Sequence, residues 1–277
     1  MKIEERYASN PDGFIAYDTE RIRKDFVINK LFEKDEISLV YSHYDRFIVG
    51  GIMPVKAIKL DSFGLLKSDW FLERREIGII NIGGKGKVIV DGEIFEMNFK
   101  DALYLGKETH EVTFSSLDSA NPAKFYFNSA LAHRKYPSRL VRFEEAEKAI
   151  LGGAENSNYR QLNKLLVSSI LPTCQLQMGL TEIQAGSVWN TMPAHTHSRR
   201  MEVYMYFNLP ENQAVCHFMG RPHETRHVWL HNEQAVISPP WSIHSGVGTS
   251  NYSFVWGMAG ENYDYSDMDI CTINQLK

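Results

Sequence analysis

"PAHTHSRRMEVYMYF", residues 193–207, sets two histidines one residue apart, ahead of a carboxylate and an aromatic run. Pro193 disfavours a helix here, and in an extended chain residues i and i+2 project from one face. The imidazoles of His195 and His197 can therefore converge on a single ion, whereas a helix would splay them apart. Glu202 follows His197 by five positions, an odd offset that would turn it away on one continuous strand. A turn at Ser198–Arg199–Arg200 removes the conflict by placing Glu202 on an adjacent antiparallel strand, "MEVYMYFNL", facing back across the pair.

Three such ligands leave a metal one donor short, and His244 in "SPPWSIHSGVG" (238–248) is the candidate for the fourth. The paired prolines end a strand, and the glycines after His244 let the chain turn tightly, so its imidazole is expected at a strand-to-turn junction. Neutral imidazoles and a carboxylate suit zinc, manganese, iron, cobalt or nickel. An open coordination position would make the ion a Lewis acid.

Working outward, most of the chain reads as short β-branched or aromatic runs cut by Gly, Asp and Asn. In "VIVDGEIF" (88–95), Asp91-Gly92 supplies the positive φ values of a tight hairpin turn. The same texture returns after residue 161 in "MEVYMYFNL", "AVCHFMG", "TRHVWLH" and "YSFVWGMAG". Between the two stretches, residues 134–160 read as a linker with a short helix over Glu144–Leu151 and a Gly-Gly pair. "FLERREIGIINIGG" (71–84) resembles "HSRRMEVYMYFNL" (197–209), and "AKFYFNSA" (123–130) resembles "YSFVWGMA" (252–259), which points to an internal duplication. "DALYLGKETHEV" (101–112) likewise matches "QAVISPPWSIHSG" (234–246), with His110 in the place of His244. The expected architecture is all-β, two tandem barrels at 1–133 and 161–277 with few short helices.

Composition bounds the function. A chain of 277 residues with 43% hydrophobic and 23% charged content has material for one large or two ordinary domains. The net charge of −4, with both signs interspersed, argues against nucleic acid or a charged membrane surface as partner. No apolar h-region opens the chain, and no run reaches the ~20 apolar residues of a spanning helix. Cys174, Cys216 and Cys271 are scattered and form no CxxC pair, which fits small buried side chains in a reducing, cytoplasmic setting.

The pattern HxH-x4-E over His195, His197 and Glu202, followed by P-x-x-x-H ending at His244, resembles the cupin superfamily. The resemblance implies a small antiparallel barrel, or double-stranded β-helix, whose mouth binds a divalent metal through those four side chains. Trp241 and Gly248 depart from the usual second motif, and Gly186 precedes His195 by more than the usual spacing. In the first half Arg74, Arg75 and Glu76 remain with no HxH before them, as in a cupin that has lost its ligands. Longer strings carry a closer resemblance: "VYSHYDRFIVGGIMP" (40–54), "NTMPAHTHSRRMEVYMYFN" (190–208), "ETRHVWLHNEQAVISPPWSIHSGVGT" (224–249) and "WGMAGEN" (256–262). They are similar to the 4-deoxy-L-threo-5-hexosulose-uronate ketol-isomerase family over nearly the whole chain. That family membership implies a bicupin, one divalent ion per subunit with zinc foremost, a homohexamer and a sugar-acid substrate. The implied reaction is the aldose–ketose isomerisation of 5-dehydro-4-deoxy-D-glucuronate in the breakdown of pectin and other unsaturated uronides.

Such chemistry needs a proton carrier, for which Glu202, His227, His231 and Glu233 are near in sequence, although a hydride shift would need none. It also needs a cation for the carboxylate, drawn from Arg199, Arg200 and Arg226, with Arg200 and Arg226 preferred. Tyr204 shares strand parity with Glu202 and is expected to face the pocket. The alternatives are an isomerase of another sugar acid such as 5-deoxyglucuronate, a cupin dioxygenase, or a sugar-acid-binding cupin without turnover.

Overall fold

Alternating apolar residues in the short runs do form strands, and the strands assemble twice into the same arrangement. The computed structural model describes residues 1–261 and 264–277, so Asn262, which ends the "WGMAGEN" string, lies outside the described residues. In the first unit a seven-stranded sheet runs in the order Lys2–Arg6, Ile37–Ser42, Ile48–Ile52, Phe125–Leu131, Arg75–Asn81, Ala102–Leu105, Arg139–Val141. A four-stranded sheet, Ile58–Lys59, Val112–Ser116, Gly86–Val90, Glu93–Met97, accompanies it. One apolar cluster is built from both sheets, with Ile77, Ile79, Leu103 and Phe127 from the larger and Val88, Val90 and Phe114 from the smaller. This is the two-layer solution to burying one face of each sheet.

The second unit repeats the plan. Its seven-stranded sheet runs Glu147–Leu151, Arg160–Leu166, Gln177–Ile183, Ser253–Gly260, Arg200–Phe207, Ala235–Ser238, Val27–Ile28. The four-stranded sheet is Trp189–Asn190, Ser245–Gly248, Val215–Arg221, Glu224–Leu230. The duplication expected from the strings is thus visible in strand order. Asp91 (φ 48°) and Gly92 (φ 91°) make the two-residue turn that pairs Val90 with Glu93.

Three expectations are corrected. The helix over Glu144–Leu151 is instead a 3₁₀ turn at Phe143–Glu145 and a strand at Glu147–Leu151, paired antiparallel with Arg160–Leu166. Helix-favouring residues there yield to ladder hydrogen bonds and a Lys164–Glu147 ion pair at 2.6 Å. Residues 134–160 are therefore sheet rather than linker, supplying Arg139–Val141 to one unit and Glu147–Leu151 to the other. The chain also does not divide at 133 and 161. One unit comprises Met1–Arg6, Lys30–Ala146 and Leu165–Gln177; the other comprises Tyr7–Asn29, Glu147–Lys164 and Met178–Lys277. The physical reason lies in the edge strands and in the helix Thr19–Phe26. Asp18 caps that helix by accepting from the Arg21 N–H at 2.8 Å, and its buried Ile22 and Phe26 are four residues apart on one face. Phe14 and Phe26 pack on Trp241 at ring separations of 5.1 and 6.3 Å, which ties this N-terminal stretch to the second unit.

Candidate metal centre

The strand Arg200–Phe207 is buried throughout and lies between Ser253–Gly260 and Ala235–Ser238. Its period-two alternation turns Glu202, Tyr204 and Tyr206 to one face and Met201, Val203 and Met205 to the other. The turn before it falls at Ser198–Arg199, as the spacing requires. The strand His195–Thr196, however, is not the hairpin partner of Arg200–Phe207. It pairs with Asp269–Ile270 near the C-terminus, and His197 donates its backbone N–H to Pro240 O at 3.2 Å. Its register is set by a distant segment, so strand parity gave the right face for the wrong partner.

His244 directly precedes the strand Ser245–Gly248, held by a turn in which Ser242 N–H donates to Pro239 O at 2.9 Å. Gly246 and Gly248 do not make that turn. They lie within the strand, where a Cβ on Gly246 would meet Asn190 and the Tyr206 hydroxyl at 2.9 and 3.0 Å. Close packing, not turn geometry, explains these glycines.

Donor atoms of His195, His197, Glu202 and His244 all lie within 4.8 Å of one another. Glu202 Oε2 is 2.9 Å from both His197 Nε2 and His244 Nε2, and His244 Nε2 is 2.9 Å from His195 Nε2. Adjacent ligands ~2.1 Å from a first-row ion stand about 3 Å apart, so these separations fit a shared ion. His197 Nδ1 lies 3.1 Å from the Asp267 carbonyl, which accepts its N–H and leaves the Nε2 lone pair for a ligand role. His197, Glu202 and His244 are only 3%, 4% and 1% exposed. Burial, aided by the neighbouring His244 and His197, pushes the His195 imidazole down to about 2, and burial lowers His197 against the pull of Glu202. Burial opposes ionisation of Glu202, but His244 and His197 outweigh it and hold the carboxyl well below its usual range. Neutral imidazoles at His195 and His197 beside an ionised Glu202 are protonation states that suit a divalent ion.

Three of the four residues, His195, His197 and Glu202, line a cavity of about 390 Å³. Tyr204 also lines it, as its parity foretells, with its hydroxyl 2.9 Å from Thr191 Oγ1 and its phenol raised well above the usual range by burial and Glu202. Arg200 reaches the lining but is 1% exposed, and its guanidinium donates to the Asp264 and Tyr265 carbonyls at 2.7 and 3.0 Å. It thereby ties down the segment whose Asp267 orients His197. Arg226 is elsewhere, donating to Glu224 and to the Thr225 and Ile15 carbonyls. His227 is exposed on the edge strand Glu224–Leu230, His231 lies in the turn after it, and Glu233 sits in that turn at φ 62°. None of Arg226, His227, His231 and Glu233 lines the cavity.

Sequence reasoning missed Arg160, Lys164 and the C-terminal Tyr265, all on the lining. His217, which belongs neither to the cluster nor to the lining, is fully buried with Nδ1 2.7 Å from the Tyr206 hydroxyl. Arg160, Leu162 and Lys164 share one face of a strand by their spacing of two, a signal broken by ending a linker at residue 160. In the first unit Glu76 pairs with Ala130 as Met201 pairs with Ala259, so Ile77 holds the place of Glu202. Glu76 is not a relic ligand. It accepts from the Tyr104 hydroxyl and from the N–H groups of Cys174, Gln175 and Leu176 at 2.7–2.8 Å.

The KduI/IolB family profile matches residues 26–273. A protein of Formosa agariphila is 57% identical over 277 residues, covering 100% of this chain and 99% of its own. One from Bacteroides fragilis is 58% identical over 275 residues, covering 99% and 98%. Each bears the name 4-deoxy-L-threo-5-hexosulose-uronate ketol-isomerase. Among solved structures, an IolB-like protein from Salmonella typhimurium aligns with a TM-score of 0.66 at 18% identity, over 81% of this chain and 86% of that one. Oxalate decarboxylase from Lactobacillus farciminis aligns with a TM-score of 0.54 at 11% identity, over 79% and 77%. At these identities the structures speak for the cupin-type fold alone.

Proposed function

The chain belongs to the KduI/IolB family, and on that premise we propose that it is a metal-dependent ketol-isomerase. Its substrate is 5-dehydro-4-deoxy-D-glucuronate and its product 3-deoxy-D-glycero-2,5-hexodiulosonate, in the breakdown of unsaturated uronides such as those from pectin. The observation that carries this reading is the agreement of relatives at more than half identity, over essentially the full chain, on one ketol-isomerase name. The buried cluster of three histidines and a glutamate on a small cavity supports it. The proposal includes His195, His197, Glu202 and His244 as the ligands, zinc as the ion, a homohexamer and a cytoplasmic setting.

Aldose–ketose isomerisation moves hydrogen from C2 to C1 while negative charge develops on the oxygens of both carbons. Bound at the cluster, a divalent ion supplies Lewis acidity for that charge. The chain's own contribution begins with His195 and His197, whose protonation burial disfavours. Tyr204, kept protonated by burial and partnered by Thr191, can donate to a substrate oxygen and pass the oxygen-bound proton. Of the candidates for the carbon-bound proton, Glu202 is the one on the lining.

The test is direct. The purified protein, given the product of an unsaturated-uronide hydrolase, should form the ketose, followed by NMR, and chelation should abolish conversion until zinc is restored. Conversion that survives complete metal removal would overturn the proposal. Y204F should retain metal while kcat falls about 10²-fold, the lower range for loss of a general acid. An unchanged kcat would remove Tyr204 from the mechanism.

A further inference from the structure

The substrate of this reading is a uronate, so its carboxylate lies at the opposite end of a six-carbon chain from the carbons that react. An anchor for it must line the same cavity as the metal cluster without being one of the ligands. Arg160, Lys164 and Arg200 are the cations on that lining. Two of them are already engaged. Lys164 pairs with Glu147 at 2.6 Å and sits over the Tyr265 ring at 4.8 Å, and Arg200 holds the backbone carbonyls of Asp264 and Tyr265.

Arg160 differs. It is half-buried on the strand Arg160–Leu166, and its guanidinium donates through one nitrogen to the Asn158 carbonyl at 2.9 Å. No carboxylate pairs with it among the described residues. Burial lowers its affinity for the proton, the sign of a cation held away from water without a counter-charge. Such an arrangement is costly unless an anion arrives, and a guanidinium fork matches a carboxylate through two parallel hydrogen bonds.

We propose that Arg160 is the residue that binds the substrate carboxylate and so selects a sugar acid over a neutral sugar. This rests on the isomerase reading above. The experiment compares steady-state kinetics of the metal-loaded wild type, R160A and R160K on the uronate and on its C6 primary amide. The wild type should favour the uronate in kcat/KM. R160A should raise KM for the uronate about 30–100-fold, leave the amide nearly unchanged and retain full metal content. Added methylguanidinium should restore part of the uronate activity to R160A, which a merely structural residue would not permit. R160K should fall between, since an ammonium keeps the charge but loses the fork. A wild type that turns over the uronate while R160A keeps its preference, or loses both substrates equally, overturns the assignment alone. A wild type that leaves the uronate unchanged overturns the underlying reading and the assignment with it.

Discussion

The cluster turns on which nitrogen of the His197 imidazole is occupied. With Nδ1 of His197 fixed on Asp267 O, its Nε2 faces Glu202 and the other two histidines. H195A should therefore lose the ion, read as metal per subunit after dialysis, whereas H217Q should keep it, because His217 touches Tyr206 and is no member of the cluster. Equal loss in both variants would contradict the ligand set. His217 still matters for acid stability. Burial pushes its imidazole down to about 3, against about 6.5 for a free histidine, so on acidification the unfolded chain takes up a proton before the folded one does. The stability associated with neutral His217 is complete above pH ~6.5 and declines as pH falls toward 3, by roughly 1.4 kcal/mol per unit. His195 adds a slope of the same sign in the metal-free protein. The urea midpoint of the apoprotein should drop between pH 7 and 5, and H217Q should flatten the fall. A slope unaltered in H217Q would show that this imidazole is not held neutral.

At the level of strands, proximity in sequence proved a poor guide to proximity in space. Arg226 and His227 lie between the motif residues in sequence, but their strand is the outer edge of the four-stranded sheet, and neither lines the cavity. Arg160 lies 35 residues before His195 and reaches the lining because its strand is in the same seven-stranded sheet as Arg200–Phe207. What was legible was parity: HxH on an extended chain and Glu202 with Tyr204 on the next strand need only the period of a β-strand. Partner choice was not legible, since the ladder between His195–Thr196 and Asp269–Ile270 closes over more than 70 residues. Glu76 shows the same limit. Its carboxylate gathers three consecutive backbone N–H groups at Cys174–Leu176, an arrangement that no spacing near residue 76 announces. E76Q sets an amide against those donors and should cost about 3 kcal/mol in denaturant unfolding, with KM and metal content unchanged. A loss below about 1 kcal/mol would mean that water replaces the carboxylate readily.

For the whole molecule, the two-fold repetition of sheet order was readable from paired strings, and so was the lack of an HxH ahead of Arg74–Glu76. In the structure Ile77, in an apolar cluster, holds the place that Glu202 has in the second unit. The boundaries were not readable, because six segments of chain alternate between the units. A fragment of residues 161–277 holds all four cluster residues yet lacks the strands Val27–Ile28 and Glu147–Leu151 and the aromatic pair Phe14 and Phe26. It should show no cooperative thermal transition by near-UV circular dichroism, and a sharp transition with bound metal would refute this. The interleaving also bears on descent. A chain that threads back and forth between its units offers no single cut that frees either one, so neither half can be lost or transplanted alone.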